Sequence, residues 1–322
     1  MNNIICLDKN YSTTRLVTKE KPETLNNLND KFKSCWFFPA NEGRVAEGGL
    51  RGKGYFKKSY NDKPLITIIM VVFNSVDYLE ESILSVINQT YDNVEYIIID
   101  GGSTDGTLDV IKKYTDKIDY WISENDSGVF DAWNKGLQLS HGKWIGFLGA
   151  DDFYELNAIQ KYVENIDLLF DVEFISSQSY LITKEKKTIR IIGKPWNWKD
   201  FSIYMNVAHV GSLHHRSLFE KYGIYDTNFP VCADYEFLLR AGNKLKAGFV
   251  NEVLCNFRAG GQSQGGSYWG VSNVLEENYQ VKLKHNTRPT SLHVYIDKLW
   301  ARLKWFIKKI LGKDKNLFLE CL

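Results

Sequence analysis

The run Leu65–Phe73 is apolar throughout except for Thr67, and it is rich in Ile and Val. A strand buried on both faces reads this way, because neither side of it meets water. Val94–Ile99, Tyr120–Ser123 and Trp144–Leu148 repeat the pattern. Between them the period changes. Asp77–Gln89 carries Leu79, Ile83, Val86 and Ile87 at helical spacing, with Asp77 placed to cap it. Thr107–Tyr114 reads as a short helix, and Val129–Leu139 as a longer one that stops near Gly142. This alternation predicts parallel strands joined by right-handed crossovers, hence an α/β fold with a sheet flanked by helices. Beyond Asp152 the pattern loosens. Glu155–Leu169 and Ala233–Ala241 read as helices, Phe174–Tyr180 and Thr188–Ile192 as antiparallel strands, and Gly248–Phe257 as extended chain.

The ends differ from the middle. Residues 1–62 read as an extension lying along the main domain: Asn10–Lys33 is polar with little period, Cys35-Trp36-Phe37-Phe38 is an apolar anchor, and Glu47–Lys57 is a glycine-rich loop. Residues 63–270 form the expected main domain, and 271–322 a C-terminal helical tail. In that tail Ile296, Leu299, Trp300, Leu303, Phe306, Ile307, Ile310 and Leu311 share one helix face, flanked by basic residues. Such a stripe predicts either a helix lying in the plane of a membrane surface or a helix docked on protein.

Composition refines this picture. Basic and acidic residues nearly cancel, 40 against 39, so global charge gives no reason to expect a nucleic-acid partner. Between Lys298 and Lys315, however, seven Lys or Arg face one acid, Asp314, which makes the tail a candidate for an anionic surface. The five cysteines are scattered without metal or redox spacing, which suits reduced thiols in a cytosol. The first residues lack the basic start of a signal peptide, and no apolar run approaches the roughly 20 residues that span a bilayer. The expected location is cytoplasmic, peripheral on the inner face of the cell membrane.

The candidate chemistry sits where strands end. Asp100 closes the second strand and precedes Gly101 and Gly102, residues that let a ligand approach the backbone closely. Asp105 is suited to cap the helix at Thr107. Asp151 and Asp152 follow the fourth strand. Adjacent anions repel, and a divalent cation between them removes that cost while bridging to phosphate oxygens; a solvated turn is the plainer alternative. Asp131 and Lys135 are four apart on one helix, so a surface ion pair competes with a binding role. Arg258 has the fork geometry that suits a diphosphate.

The segments Thr67–Asn74, Ile99–Thr107, Ser123–Gly136 and Ala150–Asp152, in this order and spacing, resemble glycosyltransferase family 2. The resemblance runs from about Leu65 to Asp152 and more loosely to about Ser263. It implies the GT-A fold, a Rossmann-like mixed sheet flanked by helices, and transfer that inverts the anomeric centre. It further implies that Phe73, Asn74, Asp100, Ser103, Asp126, Asp131, Asn134, Lys135, Asp151 and Arg258 surround a nucleotide-sugar donor. Asp152, with Asp151, matches the family's acidic metal motif, for Mn²⁺ or Mg²⁺. Asp234 matches the general base, with Glu236 as a competitor two residues on, and His209 lies on the acceptor side.

The expected activity is therefore metal-dependent transfer of a hexosyl group from a nucleoside-diphosphate donor, UDP foremost. The acceptor would be a hydroxyl of a glycan, lipid-linked, in O-antigen or capsule synthesis. Two other classes remain open: a nucleotidyltransferase on a similar sheet, and a non-catalytic sugar-nucleotide-binding protein.

Overall fold

A computed structural model describes residues 4–24, 26, 31–169, 171–260 and 268–287, together with 296, 299, 300 and 303. The strands are β1 (Arg44–Gly48), β2 (Ile66–Val72), β3 (Val94–Asp100), β4 (Tyr120–Glu124), β5 (Trp144–Gly149), β6 (Phe153–Tyr154), β7 (Phe174–Ile182), β8 (Thr188–Ile192), β9 (Leu213–His215) and β10 (Ala247–Arg258). The helices are α1 (Ser12–Arg15), α2 (Val76–Ile87), α3 (Thr107–Lys113), α4 (Val129–Leu139), α5 (Ala158–Leu168), α6 (Trp198–Phe201), α7 (Arg216–Tyr222), α8 (Ala233–Ala241) and α9 (Tyr268–Lys284). The strands form one mixed sheet in the order β1-β4-β3-β2-β5-β9-β7-β10-β6, with β8 on β7.

The apolar runs become the centre of that sheet. β2 pairs in parallel with β3 on one side and β5 on the other, and β3 pairs in parallel with β4. Side chains alternate between faces. Ile66, Ile68, Met70 and Val72 of β2 meet α2, α3 and α5 through Leu79, Ile83, Ile111, Ile159 and Tyr162. Ile69 turns to the opposite face, toward Trp133, Leu137, Phe147, Phe219 and Phe237 around α4, α7 and α8. A strand covered by helices on both faces has no polar position to spare, and this is why β2 reads as unbroken hydrophobicity.

Two expectations change, and two strands are new. The glycine-rich loop contributes an edge strand: β1 pairs antiparallel with β4, and Gly48 lies against the Trp121 ring, where a Cβ would come within 2.8 Å. The cap of α2 is Ser75, with Asp77 inside the first turn, and the Val76 N–H donates to Asp105. The short strands β6 and β9 have no sequence signature of their own, being two and three residues long. Of the amphipathic tail, Ile296, Leu299, Trp300 and Leu303 are described and their side chains are exposed; the rest of that stripe lies outside the described residues.

The N-terminal segment is tied to the sheet by polar groups. Ser12 donates to the Val86 carbonyl and Thr13 to the Lys117 carbonyl. Trp36 stacks on His141 at 3.5 Å, and buried Arg51 meets buried Glu95 at 2.7 Å. Thr67 and the His141 N–H also donate to Glu95. Burial alone would raise the Glu95 pKa, but Arg51 and then His141 hold it well below the usual range. Removing one partner of such a pair strands the other. Glu95→Gln is therefore expected to cost about 3 kcal/mol in urea unfolding, and the double variant Arg51→Met/Glu95→Gln to recover part of that loss.

Candidate active site

The register of β2, β3 and β5 puts their carboxyl ends side by side, with Val72 opposite Asp100 and Val71 opposite Gly149. Phe73 follows β2 and is 63% exposed, a large aromatic face left uncovered. Asn74 adopts a left-handed φ of 47°. Its N–H donates to Ser103 Oγ at 2.8 Å, and its side-chain oxygen accepts from the Thr104 N–H. Asp105 accepts from the N–H groups of Val76 and Thr107 and so serves the first turns of both α2 and α3.

Asp100 is completely buried. Its carboxylate accepts from the Ser103 N–H, from Ser103 Oγ and, at 2.6 Å, from Ser123 Oγ. It therefore fixes the turn that carries Ser103, and a direct ligand contact would require it to be uncovered. The carboxylate standing over this turn belongs to Asp126. A Cβ on Gly101 would lie 2.5 Å from Asp126 Oδ2 and 3.3 Å from the Phe73 ring, so glycine is what lets these two groups face each other. Burial raises the Asp126 pKa.

The α4 motif is engaged within the protein. Asp131 accepts from the Ser127 N–H at 3.0 Å. Lys135 reaches the Asn125 carbonyl and Glu124, both at 3.0 Å, with Asp131 farther off at 3.8 Å. Both ends of the Asn134 amide go to the backbone of Tyr225, at 2.9 Å each.

At the end of β5, Asp152 is 3% exposed and its Oδ1 accepts from the Arg258 N–H at 2.8 Å. A Cβ on Gly149 would lie 2.7 Å from Asp152 Oδ2 and 3.1 Å from Asp151 Oδ1. Two carboxylate oxygens thus converge on a space kept open by the missing side chain. Burial, then the neighbouring Asp151, pushes Asp152 well above the usual carboxylate range; burial also raises Asp151. A divalent cation relieves both penalties, and oxygen ligands are what Mg²⁺ and Mn²⁺ take. Arg258 lies beneath the pair. Its guanidinium donates to the carbonyls of Asp151 and Lys184 and pairs with Glu81, and the residue is 2% exposed. Direct contact with a diphosphate would require it to exchange these partners.

The third cluster is on α8. Asp234 lies in the first turn, its Oδ1 accepting from the Tyr235 N–H at 2.8 Å. Its side chain is 20% exposed, and burial raises its pKa to about 6. His209 approaches it, Nδ1 to Oδ2 3.9 Å, and the imidazole stacks on Phe147 of β5. Glu236 has the opposite environment. It is completely buried between Arg240, Lys284 and His285. Burial would raise its pKa, but His285, Arg240 and Lys284 hold it at about 2. A carboxylate sealed and neutralised in this way is a poor proton acceptor. Tyr225 and Glu277, which sequence reading overlooked, complete the region; Glu277 accepts from the N–H groups of Val231 and Cys232. No local pattern could have marked either, since their partners lie far along the chain.

The Glu236 cluster has a definite pH signature. Its folded-state pKa lies below the ordinary 4.5, so its contribution to stability is complete above that value and is lost as pH falls through about 2. Glu236→Gln is expected to unfold about 3 kcal/mol more easily than wild type at neutral pH, and the two proteins to converge on acidification, read by urea denaturation across pH.

Comparison with known proteins bears on the family and the fold. The Glycosyl transferase family 2 profile matches residues 67–220. An uncharacterized glycosyltransferase of Mycobacterium tuberculosis is 31% identical over 198 residues, covering 60% of this chain and 75% of that one. A PGL/p-HBAD biosynthesis glycosyltransferase of Mycobacterium bovis is 26% identical over 238 residues, 70% of this chain and 86% of the relative. Among solved structures, S. aureus TarS 1–349 in complex with UDP-GlcNAc has a TM-score of 0.52 at 14% identity, covering 69% of this chain and 71% of its own. A mannosyltransferase from Pyrobaculum calidifontis, in complex with GDP-Man and Mn²⁺, gives 0.52 at 17%, covering 76% and 70%. These structures share the fold. On the profile match, the sequence relatives and the shared fold, the chain belongs to glycosyl transferase family 2 and is a glycosyltransferase of GT-A fold.

Proposed function

We propose that this glycosyltransferase, with its catalytic unit over residues 63–270, moves a hexosyl group from a nucleoside-diphosphate sugar, UDP-linked, to a glycan hydroxyl with inversion. The observation that carries the reading is the acidic pair gathered over Gly149, at the same sheet edge as the exposed Phe73 and the half-buried Asp126. Phe73 offers a stacking face for the base, and Asp126 an acceptor for a base or ribose donor. Asp152 and Asp151 would hold Mn²⁺ or Mg²⁺, which neutralises charge on the departing diphosphate. The cited mannosyltransferase structure contains Mn²⁺, and the TarS structure UDP-GlcNAc. Asp234 takes the proton of the acceptor hydroxyl as its oxygen attacks the anomeric carbon from the side opposite the diphosphate. Its pKa of about 6 keeps it ionised at neutral pH and still basic enough to act.

We infer that the acceptor is a lipid-linked glycan of bacterial surface-polysaccharide assembly, O-antigen or capsule, met at the inner face of the cell membrane. Support comes from the exposed Ile296, Leu299, Trp300 and Leu303, which fall on one helical face, and from the basic residues around them in sequence. No helix among the described residues is long and apolar enough to cross a membrane.

The decisive assay incubates the full chain with a donor panel and Mn²⁺ and follows products by mass spectrometry. UDP release without pyrophosphate is expected. Pyrophosphate would mark nucleotidyl transfer, and cation-independent binding without turnover a non-catalytic binder. Gly149→Ala, which places a methyl against both carboxylates, should abolish the Mn²⁺-dependent part of UDP binding while the circular dichroism stays unchanged. Asp234→Asn should lower turnover by about 10²- to 10⁴-fold with UDP affinity intact, and the wild-type rate should fall on the acid side of pH 6.

For the tail, the full chain is expected to float with anionic liposomes. A chain ending at Thr290 should remain at the bottom of the gradient.

A further inference from the structure

Three side chains from distant segments line up behind Asp234. His209 is 6% exposed, and its ring packs against the adjoining Trp133 ring, 5.5 Å away at 27°, and Phe147 ring, 5.8 Å away at 23°. Its two nitrogens point to different partners. Nε2 is 3.4 Å from the Tyr225 hydroxyl, and Nδ1 is 3.9 Å from Asp234 Oδ2. Tyr225 is held at its backbone by both ends of the Asn134 amide. The chain of contacts therefore runs from α4, through Tyr225 and His209, to the carboxylate on α8.

We propose that His209 is a positioning residue for Asp234: its Nε2 accepts from the Tyr225 hydroxyl, which fixes the Nδ1–H tautomer, and Nδ1–H donates to Asp234 Oδ2. This rests on the reading of Asp234 as the base. It replaces the acceptor contact expected for His209 from sequence.

The direction of the relay follows from the surroundings. Burial pushes the His209 imidazole down to about 3, so it is neutral and has a single N–H. Burial and the Asp234 charge push the Tyr225 phenol well up, so it keeps its proton and is a donor. An anion beside Nδ1 then favours the proton on that nitrogen. The other titratable groups facing this pair do not compete for that proton. His214, 5.1 Å from the His209 ring, is itself pushed well below its ordinary pKa by burial and by His209. Cys232 is pushed up by burial and by Asp234, with Glu277 and Lys282 acting on it from α9. Arg240 acts on Tyr225 and pairs with Glu236.

The 3.9 Å separation must shorten by about 1 Å to become a hydrogen bond, a change of the kind that closes when reactants are loaded. With Oδ1 on the Tyr235 N–H and Oδ2 on His209, the carboxylate plane is set and its remaining lone pairs meet the acceptor. During transfer the hydroxyl proton goes to Asp234, and the imidazole keeps the one it has. A donor to the anionic form favours that form, so loss of His209 should raise the pKa at which the base is disabled.

The test has two arms. In the full chain labelled with ¹⁵N-histidine, the His209 signals are assigned by their loss in His209→Asn. A neutral Nδ1–H tautomer between pH 5 and 8 is expected, and Tyr225→Phe should weaken that preference. A neutral Nε2–H ring, or an imidazolium, would overturn the proposal. In the second arm UDP release from UDP-glucose or UDP-N-acetylglucosamine with Mn²⁺, water serving as acceptor, is followed against pH. His209→Phe keeps the ring volume without the donor, and should lose about tenfold in rate while its acid limb moves up by about one pH unit. His209→Asn, whose amide places a donor near the Nδ1 position, should recover most of the rate. Equal loss in both variants with an unmoved limb would reduce His209 to packing. Full turnover in Asp234→Asn would instead sink the base assignment itself, a result distinguishable from the first.

Discussion

Everything at the sheet edge depends on where β2 stops relative to β3 and β5. Parallel pairing on both sides aligns three strand ends within one residue of each other, and backbone hydrogen bonds hold that alignment. Three loops are thereby launched from a common line: one with Phe73, one with Asp100 and Gly101, one with the acidic pair. The helices on both faces keep the line straight, because each β2 side chain is committed to one face or the other. A slip of one residue would exchange those faces, and the core would reject it.

Around this frame the charges divide into two kinds. Glu95 and Glu236 are buried with cations against them, and their proton affinities fall. Asp152 is buried, and Asp151, Asp126 and Asp234 partly so, with too little positive charge nearby, and their proton affinities rise. The first kind secures structure: Glu95 binds the N-terminal segment to the sheet, and Glu236 binds α9 to α8. The second kind gathers at the strand ends and on α8. Asp234 and Glu236 are two residues apart on one helix and fall on opposite sides of this division, so proximity in sequence says little about role.

The segment from Leu65 to Asp152 was legible because its strands are covered on both faces and its loops carry glycines and acids in a recognisable order. Its helices and strands match the expected positions closely. What was hidden depends on contacts across the chain. Asn134 looked like a ligand for a donor, yet its amide serves Tyr225, 91 residues away. Arg258 looked ready for a diphosphate, yet it supports the turn of Asp152, 106 residues away. β1 was masked by its glycine-rich surroundings, in which Gly48 is the residue that allows its close approach to Trp121, and β9 was too short to show a period. Polar residues in a motif announce that they are needed, but not by whom.

The clamp between α8 and α9 has one more consequence. Glu277 grips the backbone just before the turn of Asp234, while Lys284 and His285 grip Glu236 just after it. The turn that carries Asp234 is thus bolted to the rod of α9. Any tilt of α9 is therefore felt on both sides of that turn at once, like a lever with two fulcrums.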